Sequence, residues 1–530
     1  MNIELAGENA RFGPMVLPQR SASYACYRQS FEPLFSDSLN NNASKYWISL
    51  AMHSITLIIS GVSTPTNINS ITDYKWDKNR QANILSTVPR LHGWNADGKS
   101  YSLNLNPDIN GYDTWKYYCG VALQAFDYNA PNSYHMHYKS KNIESMYERP
   151  PALYTPQKIE LQATIKSPDS NELCLQHIVN LLVYSAGYGK RDDLKQRYAP
   201  TGGNLGSTLA MIIVNDVKGI EAGIYWFDSY MQHLEKINNV DLQQLNQVLE
   251  IDECLPMTII SLANIFKVAR KYSSFSYNIC WYDSGVMYAY LKSLCDSMNL
   301  NISNRSIPDQ ENILSAFKLP SSNLLVTGIM PIKLSEDEIS VSSETNDFGQ
   351  LLTLIKARQA HRMWANEEIT TEVAQRFATH TLKRMQKFQK QFQVELKTSV
   401  LLLLKLSDKA DGFYTTDDSG KLQLEAEYPR TEHHRILSQS ILTMSPIIFL
   451  PQVDLLHNLE HTGGLDIEKS YRFCGSVIGD LWLKCQSWGM VGTACGGCFE
   501  GEIRAILQEH GLDKFSPLAF CIGPKPTNAK

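Results

Sequence analysis

Arg197-Tyr198-Ala199-Pro200-Thr201-Gly202-Gly203-Asn204-Leu205-Gly206 is the stretch on which the reading of this chain turns. An apolar run follows, Leu209 to Val214, then Gly219, and then Gly223-Ile224-Tyr225. Pro200 fixes φ at the turn. Gly202 and Gly203 carry no Cβ, so a flat ligand can lie against bare backbone. A Gly-rich turn that feeds a strand can wrap a phosphate or cover a ring system. A tight loop before a strand is the plain alternative.

Working outward, the same neighbourhood recurs. Thr208 to Tyr225 reads TLAMIIVNDVKGIEAGIY, and Lys397 to Tyr414 reads KTSVLLLLKLSDKADGFY, a shift of 189 residues (397 less 208). Pro256 to Ile260 matches Pro446 to Leu450, Gly285 with its helix matches Gly475 with the helix to Gly489, Ile313 matches Ile503, and Ile165-Lys166 matches Ile355-Lys356, each at 190 (446 less 256). Strand, turn, helix and strand recur in one order, which predicts a two-fold repeat. Two copies of one unit are expected to pack as a pseudo-dimer, with a shared site that can become asymmetric.

Within the first copy, Leu173, Leu175, Ile178, Leu181, Leu182 and Tyr184 have helical spacing. Leu245 to Cys254 is predicted helical, Met257 to Leu262 a buried strand, and Gly285 to Met298 a long apolar helix. Arg149-Pro150-Pro151 implies an extended segment. Residues 1 to about 120 carry no recognisable motif and read as a folded accessory region.

The bulk properties are those of a globular protein: 530 residues, 43% hydrophobic, 19% charged, net charge −5. No strongly basic stretch marks a nucleic-acid partner. The stretch Trp47 to Ser60 is shorter than the ~20 apolar residues of a spanning helix and reads as buried, so no membrane partner is expected. No basic segment followed by an apolar core opens the chain, so no signal peptide is read. The eleven scattered cysteines then read as free thiols in a reducing cytoplasm.

These residues resemble the nitroreductase superfamily, and within it the SagB-type flavin dehydrogenases that oxidise azolines to azoles in peptide natural products. The resemblance covers roughly residues 131 to 530 and rests on Tyr134-His135 with Ser140-Lys141, Arg197 to Leu205, Gly219 to Tyr225, and Lys271-Tyr272 ahead of the Gly285 helix. It implies an α+β fold: tandem nitroreductase-like repeats packed as an intrachain pseudo-dimer, at 131–345 and 346–530, behind an N-terminal accessory region, 1–130. It also implies flavin mononucleotide (FMN) between the units. Thr201 stands where the family has Ser, keeping the hydroxyl.

The implied site elements are split between the copies. The family's Arg-Arg-Ser-x-Arg phosphate run aligns with Pro168-Asp169-Ser170-Asn171-Glu172 in the first copy, whose acids would repel phosphate, and with Arg358-Gln359-Ala360-His361-Arg362 in the second. Guanidinium groups suit a phosphate, so Arg358 and Arg362 are the implied ligands. The covering turn, Pro200, Thr201, Gly202, Gly203 and Asn204, belongs to the first copy; the second has Lys390-Gln391-Phe392-Gln393 there. The Gly-Gly loop beside the flavin ring, Gly496 and Gly497, belongs to the second; the first has Arg305-Ser306-Ile307-Pro308-Asp309. Lys525 is a weaker addition near the phosphate. One working flavin site is expected, with its mirror image empty.

The resemblance gives Lys271 and Tyr272 as the proton-handling pair. Desolvation can lower a Lys pKa enough to make it a base. The second copy has His461-Thr462 there. A surface Lys beside a packing Tyr is the plain alternative. Cys495 and Cys498 supply only half a zinc site, and no metal is expected. The implied activity is azoline oxidation with oxygen regenerating the flavin. The implied partners are a modified precursor peptide and a cyclodehydratase complex; self-association as a homo-oligomer stays open. An NAD(P)H-dependent flavin reductase of nitro or quinone substrates and a flavin-free scaffold of a biosynthetic complex are the alternatives.

Overall fold

The computed structural model describes residues 158–161, 172–335, 347–392, 398–454, 467–498 and 516–526, less a few internal positions, and six short strands before residue 105. Four of those strands form one antiparallel sheet and two form a hairpin. Tyr134-His135, Ser140-Lys141, Arg149 to Pro151 and Trp47 to Ser60 lie outside the described residues.

Two antiparallel sheets carry the rest. The first runs, edge to edge, Leu300–Ile302, Leu324–Leu334, Met257–Asn264, Thr208–Val214, Gly223–Asp228, His233–Ile237 and Lys158–Glu160. The second runs Met490–Cys495, Ala519–Pro524, Ile447–Val453, Thr398–Leu404, Gly412–Thr416 and Leu422–Glu427. Six strands thus repeat in the same spatial order. Twin strands start 190 residues apart at three positions (490 less 300, 447 less 257, 398 less 208) and 189 apart at two (412 less 223, 422 less 233). The repeat read from the sequence is a repeat of topology.

The strand Thr208–Val214 is buried at every position. Its side chains alternate: Ala210, Ile212 and Val214 join the large core that continues into the second sheet, while Leu209, Met211 and Ile213 face a smaller cluster under the helices Leu242–Val248 and Gln310–Ala316. Both faces are covered, so the sequence shows an unbroken apolar run instead of alternation.

Each sheet supplies one long helix to the middle, Ser276–Ser297 and Ile467–Ser487. These central helices cross where two twin glycines meet. A Cβ on Gly285 would fall 2.0 Å from the Arg472 carbonyl oxygen, and one on Gly475 would fall 2.2 Å from that of Tyr282. Ser476 Oγ donates to Gly285 O at 3.0 Å. Tyr277 OH donates to Glu468 Oε1 at 2.6 Å, and Asn278 Nδ2 donates to Tyr471 OH at 3.2 Å. The first central helix therefore starts nine residues before Gly285, the start that the sequence pattern predicts. Gly285 is not a boundary; it is the point of closest approach.

The helix predicted from Leu245 to Cys254 runs instead from Leu242 to Val248. Asp241 caps it by accepting from Gln243 N at 2.9 Å and Gln244 N, and Glu250 turns to φ +53° beyond its end. Among the described residues no helix is long and apolar enough to cross a membrane.

Gly285→Val should destabilise the protein by about 3 kcal/mol, because the clash is with backbone and cannot be relieved by a rotamer. A urea unfolding midpoint unchanged from wild type would show that the helix crossing is not so tight.

Candidate functional site

The strand Met257–Asn264 runs directly into the helix Ile265–Tyr272. Asn264 Oδ1 caps it by accepting from Lys267 N at 3.0 Å. Lys271 and Tyr272 close that helix and lie over the bare face of the Gly-rich turn. A Cβ on Gly203 would fall 2.6 Å from Lys271 Nζ and 2.7 Å from Tyr272 OH. Lys271 Nζ stands 5.1 Å from the centre of the Tyr272 ring. Any side chain at 203 would push the pair away, and φ of +60° there favours glycine independently.

The turn is held from beneath. Asn204 N donates to Thr201 O at 2.9 Å, and Gly206 N to Thr201 Oγ1 at 3.0 Å. The hydroxyl at 201 thus has a local task in closing the turn. Gly202 N donates to both carboxylate oxygens of Asp283, at 2.9 and 3.0 Å, and Ser207 Oγ donates to the same carboxylate. Asp283 sits on the first central helix, 6% exposed. Burial pushes its pKa up to about 7, against the pull of Ser207, Gly202 and the nearby Arg197 charge.

The second repeat reaches this turn with Arg358 and Arg362. Arg358 is buried and donates from Nε to Tyr198 O at 3.1 Å and from a terminal nitrogen to Arg197 O at 3.3 Å, with its guanidinium 5.1 Å from the Trp482 ring centre. It ties the approach to the turn to the other repeat. Arg362 is exposed, and its charge acts on two partners. Burial and then Arg362 hold the Lys271 pKa down to about 8. Burial raises the Cys495 thiol pKa, against hydrogen bonds involving Gly497, Ser438 and Gln439 and, least, the Arg362 charge.

Gly496 packs on Phe275, whose ring lies 2.8 Å from where a Cβ would be, just ahead of the first central helix. Gly497 is pressed against Ser438, with Ser438 N donating to Gly497 O at 2.7 Å. Pro200 to Asn204, Lys271-Tyr272, Arg358, Arg362 and Gly496-Gly497 are therefore gathered at one face between the repeats. Lys525 is exposed, and the carbonyl of its neighbour Pro524 accepts from Ala365 N at 3.1 Å, three residues after Arg362. The Lys525 N–H bonds Gly489 O, at the Met490 end of the strand Met490–Cys495, roughly 20 Å along that strand from Gly496.

The mirror-image position is filled with side chains. From Thr371 to Phe392 the second repeat contains no Gly or Pro and runs as one helix, where the first breaks at Gly187 and makes a hairpin before its turn. Phe392, aligned with Gly203, is buried against Phe473, the twin of Asp283, with ring centres 6.4 Å apart. The buried Arg472 stacks on Phe392 and Tyr288 at 5.4 and 5.5 Å and donates to Asn304 Oδ1. Burial lowers its pKa to about 10. Glu172 is paired with Lys218 at the surface.

Asp283, Ser207, Phe275, Ser438 and Trp482 were not read from the sequence. Only Asp283 left a signal there: a carboxylate in an apolar helix whose twin position is Phe473.

The Asp283 carboxyl gives a pH prediction. Its folded pKa, about 7, lies above the ordinary 3.8, so the folded state binds the extra proton between those values. Its contribution to stability is full below pH 4 and lost as pH rises through 7, with a slope of at most about 1.4 kcal/mol per unit. Asp283→Asn should flatten that part of a denaturation profile; an identical profile would show that another group titrates there.

No protein-family model matches the sequence, and a comparison with curated proteins gives no match. Among solved structures, a chain from Anabaena variabilis assigned as a nitroreductase is 13% identical, covers 74% of this chain and 99% of its own length, and superposes with a TM-score of 0.58. A chain of the E. coli microcin synthetase McbBCD complex, with truncated pro-MccB17 bound, is 17% identical over 40% of this chain and 85% of its own, at a TM-score of 0.29. A chain from Ralstonia eutropha, also assigned as a nitroreductase, is 14% identical over 41% and 90%, at 0.27. What the first of these shares with the chain is the fold: an α+β nitroreductase fold, present here as two repeats packed against each other in one chain.

Proposed function

We propose that this chain is an FMN-dependent dehydrogenase that oxidises azoline rings of a peptide to azoles. The observation that carries the reading is the placing of Lys271 and Tyr272 on the bare face of Gly203, with the Arg362 charge of the other repeat beside them.

The residues present suit a flavin. Gly203 and Gly496 add no side chain of their own to this face, which Lys271, Tyr272 and Phe275 line. Arg362 offers an exposed guanidinium for a phosphate, and Arg358 braces the turn. The flavin, when bound, supplies the hydride acceptor.

Aromatising an azoline removes a hydride and a proton from the ring. In this reading Lys271 Nζ takes the proton from ring carbon. It must be neutral to do so, and burial together with Arg362 lowers the cost of that neutral state. Tyr272 OH, on the same side of Gly203, orients the ring or relays the proton. Asp283 holds the turn in place beneath them. A substrate carried on a precursor peptide, delivered from a cyclodehydratase, belongs to the same proposal.

Purified protein should be yellow and carry flavin. Arg362→Ala should lose the flavin. Lys271→Ala should keep it and lose turnover of a thiazoline peptide by about 10²–10⁴-fold. Wild-type kcat/KM should rise with pH and level off above about 8, as the Lys271 base is freed of its proton. Rapid flavin reduction by NADPH alone, with no azoline turnover, would select a nitro or quinone reductase, and a colourless protein that takes up no FMN would select a scaffold.

A further inference from the structure

On the opposite side of the first sheet's hairpin, three metal-ligating side chains meet under cover. Asp228 and His233 are directly opposed across the pair Gly223–Asp228 and His233–Ile237, and Glu235 is two residues along from His233. Opposed residues share a face of the sheet, and so do residues two apart, so all three point the same way. Their ligand atoms lie within 4.8 Å of one another, and the residues are 7%, 2% and 4% exposed.

The neighbours define what the cluster can take. His233 Nε2 is 2.6 Å from Glu235 Oε1. Asp228 Oδ1 accepts from Tyr230 N at 3.0 Å and Met231 N at 2.8 Å, which orients the carboxylate. On the edge strand, Glu160 is opposed to His233 and Lys158 to Glu235. Lys158 Nζ lies 3.6 Å from Glu235 Oε1 on a half-exposed side chain. Glu160 is exposed on the same row and adds a third carboxylate. Two buried carboxylates this close call for positive charge beside them. One imidazole nitrogen with two or three carboxylate oxygens is a donor set for a first-row divalent ion, zinc above all, and too nitrogen-rich for calcium or magnesium. Ligands about 2.1 Å from a tetrahedral zinc stand roughly 3.4 Å apart, between the 2.6 Å of the His233–Glu235 contact and the 4.8 Å that bounds the cluster, so side-chain adjustments of about an ångström accommodate the ion.

We infer that Asp228, His233 and Glu235 bind a structural zinc-class divalent cation, with Glu160 or water completing its coordination. The ion cross-links the two strands of the hairpin at its turn. That turn backs the Gly-rich stretch: Ser229 Oγ accepts from Arg197 at 3.3 Å, Gln232 Nε2 donates to Tyr188 O, and the Tyr230 ring lies 5.9 Å from that of Tyr188. The cation therefore stiffens the support of Arg197, three residues before Pro200. This inference does not depend on the flavin reading.

The full chain, stripped with a chelator and passed through a desalting column, should take up about one zinc per chain, and its thermal midpoint should rise with added zinc. Cobalt in place of zinc should give visible ligand-field absorption. His233→Ala and the near-isosteric Glu235→Gln should each abolish uptake and the zinc-dependent rise, while the flavin content of Glu235→Gln stays at the wild-type level. Cys495→Ser should leave zinc uptake unchanged. Wild type that binds no zinc below millimolar concentration overturns the inference, and so does zinc kept by Glu235→Gln or lost by Cys495→Ser.

Discussion

Two glycines, 190 residues apart, let two helices touch backbone to backbone. Gly285 and Gly475 occupy twin positions, and each meets a carbonyl of the other helix at a distance no Cβ tolerates. Close crossing of this kind is what small residues permit and larger ones forbid. It brings Tyr282 to Pro517 O at 2.8 Å and Arg472 to Asn304, so each central helix bonds a segment that flanks a strand of the other repeat. The face on which the candidate site lies exists only because the helices pass this closely.

Around that near-symmetric axis the chemistry is unequal. On one side a glycine N–H is caught by a buried carboxylate, Gly202 to Asp283. On the other, an aromatic pair, Phe392 with Phe473, fills the corresponding space, and Arg472 is stacked over it. A polar catch leaves the glycine backbone within reach of Lys271 and Tyr272; an aromatic plug fills the corresponding room. The same axis thus supports an open side and a packed side. An unbroken helix to Phe392 in place of the hairpin and turn accounts for the difference in backbone.

The open side also concentrates positive charge. Arg358 is consumed in bonding the carbonyls of Arg197 and Tyr198, which leaves Arg362 as the exposed cation facing Lys271. Like charges in a half-buried cleft raise the cost of charging the weaker base, which is the lysine. A single arrangement therefore favours an anion and a neutral amine at once. The price is a site whose parts come from both repeats, so that neither has it alone.

The sequence by itself determined the repeat, its offset, the order of its strands and the asymmetry of its Gly-rich segments, because hydrophobic period and backbone permissiveness are local properties written in consecutive residues. Lys271, Tyr272, Gly203 and Arg362 were singled out by the family resemblance and the alignment between copies, and the structure brings Lys271 and Tyr272 onto Gly203 with the Arg362 charge nearby. The tertiary structure alone decided that Gly285 is a crossing point and not a helix start, that Arg358 braces backbone, and that Asp283 secures the turn. It alone brought Asp228, His233 and Glu235 together. These depend on which surfaces of distant segments meet, and on the burial that results. No window of residues carries that information, since burial belongs to the packed whole.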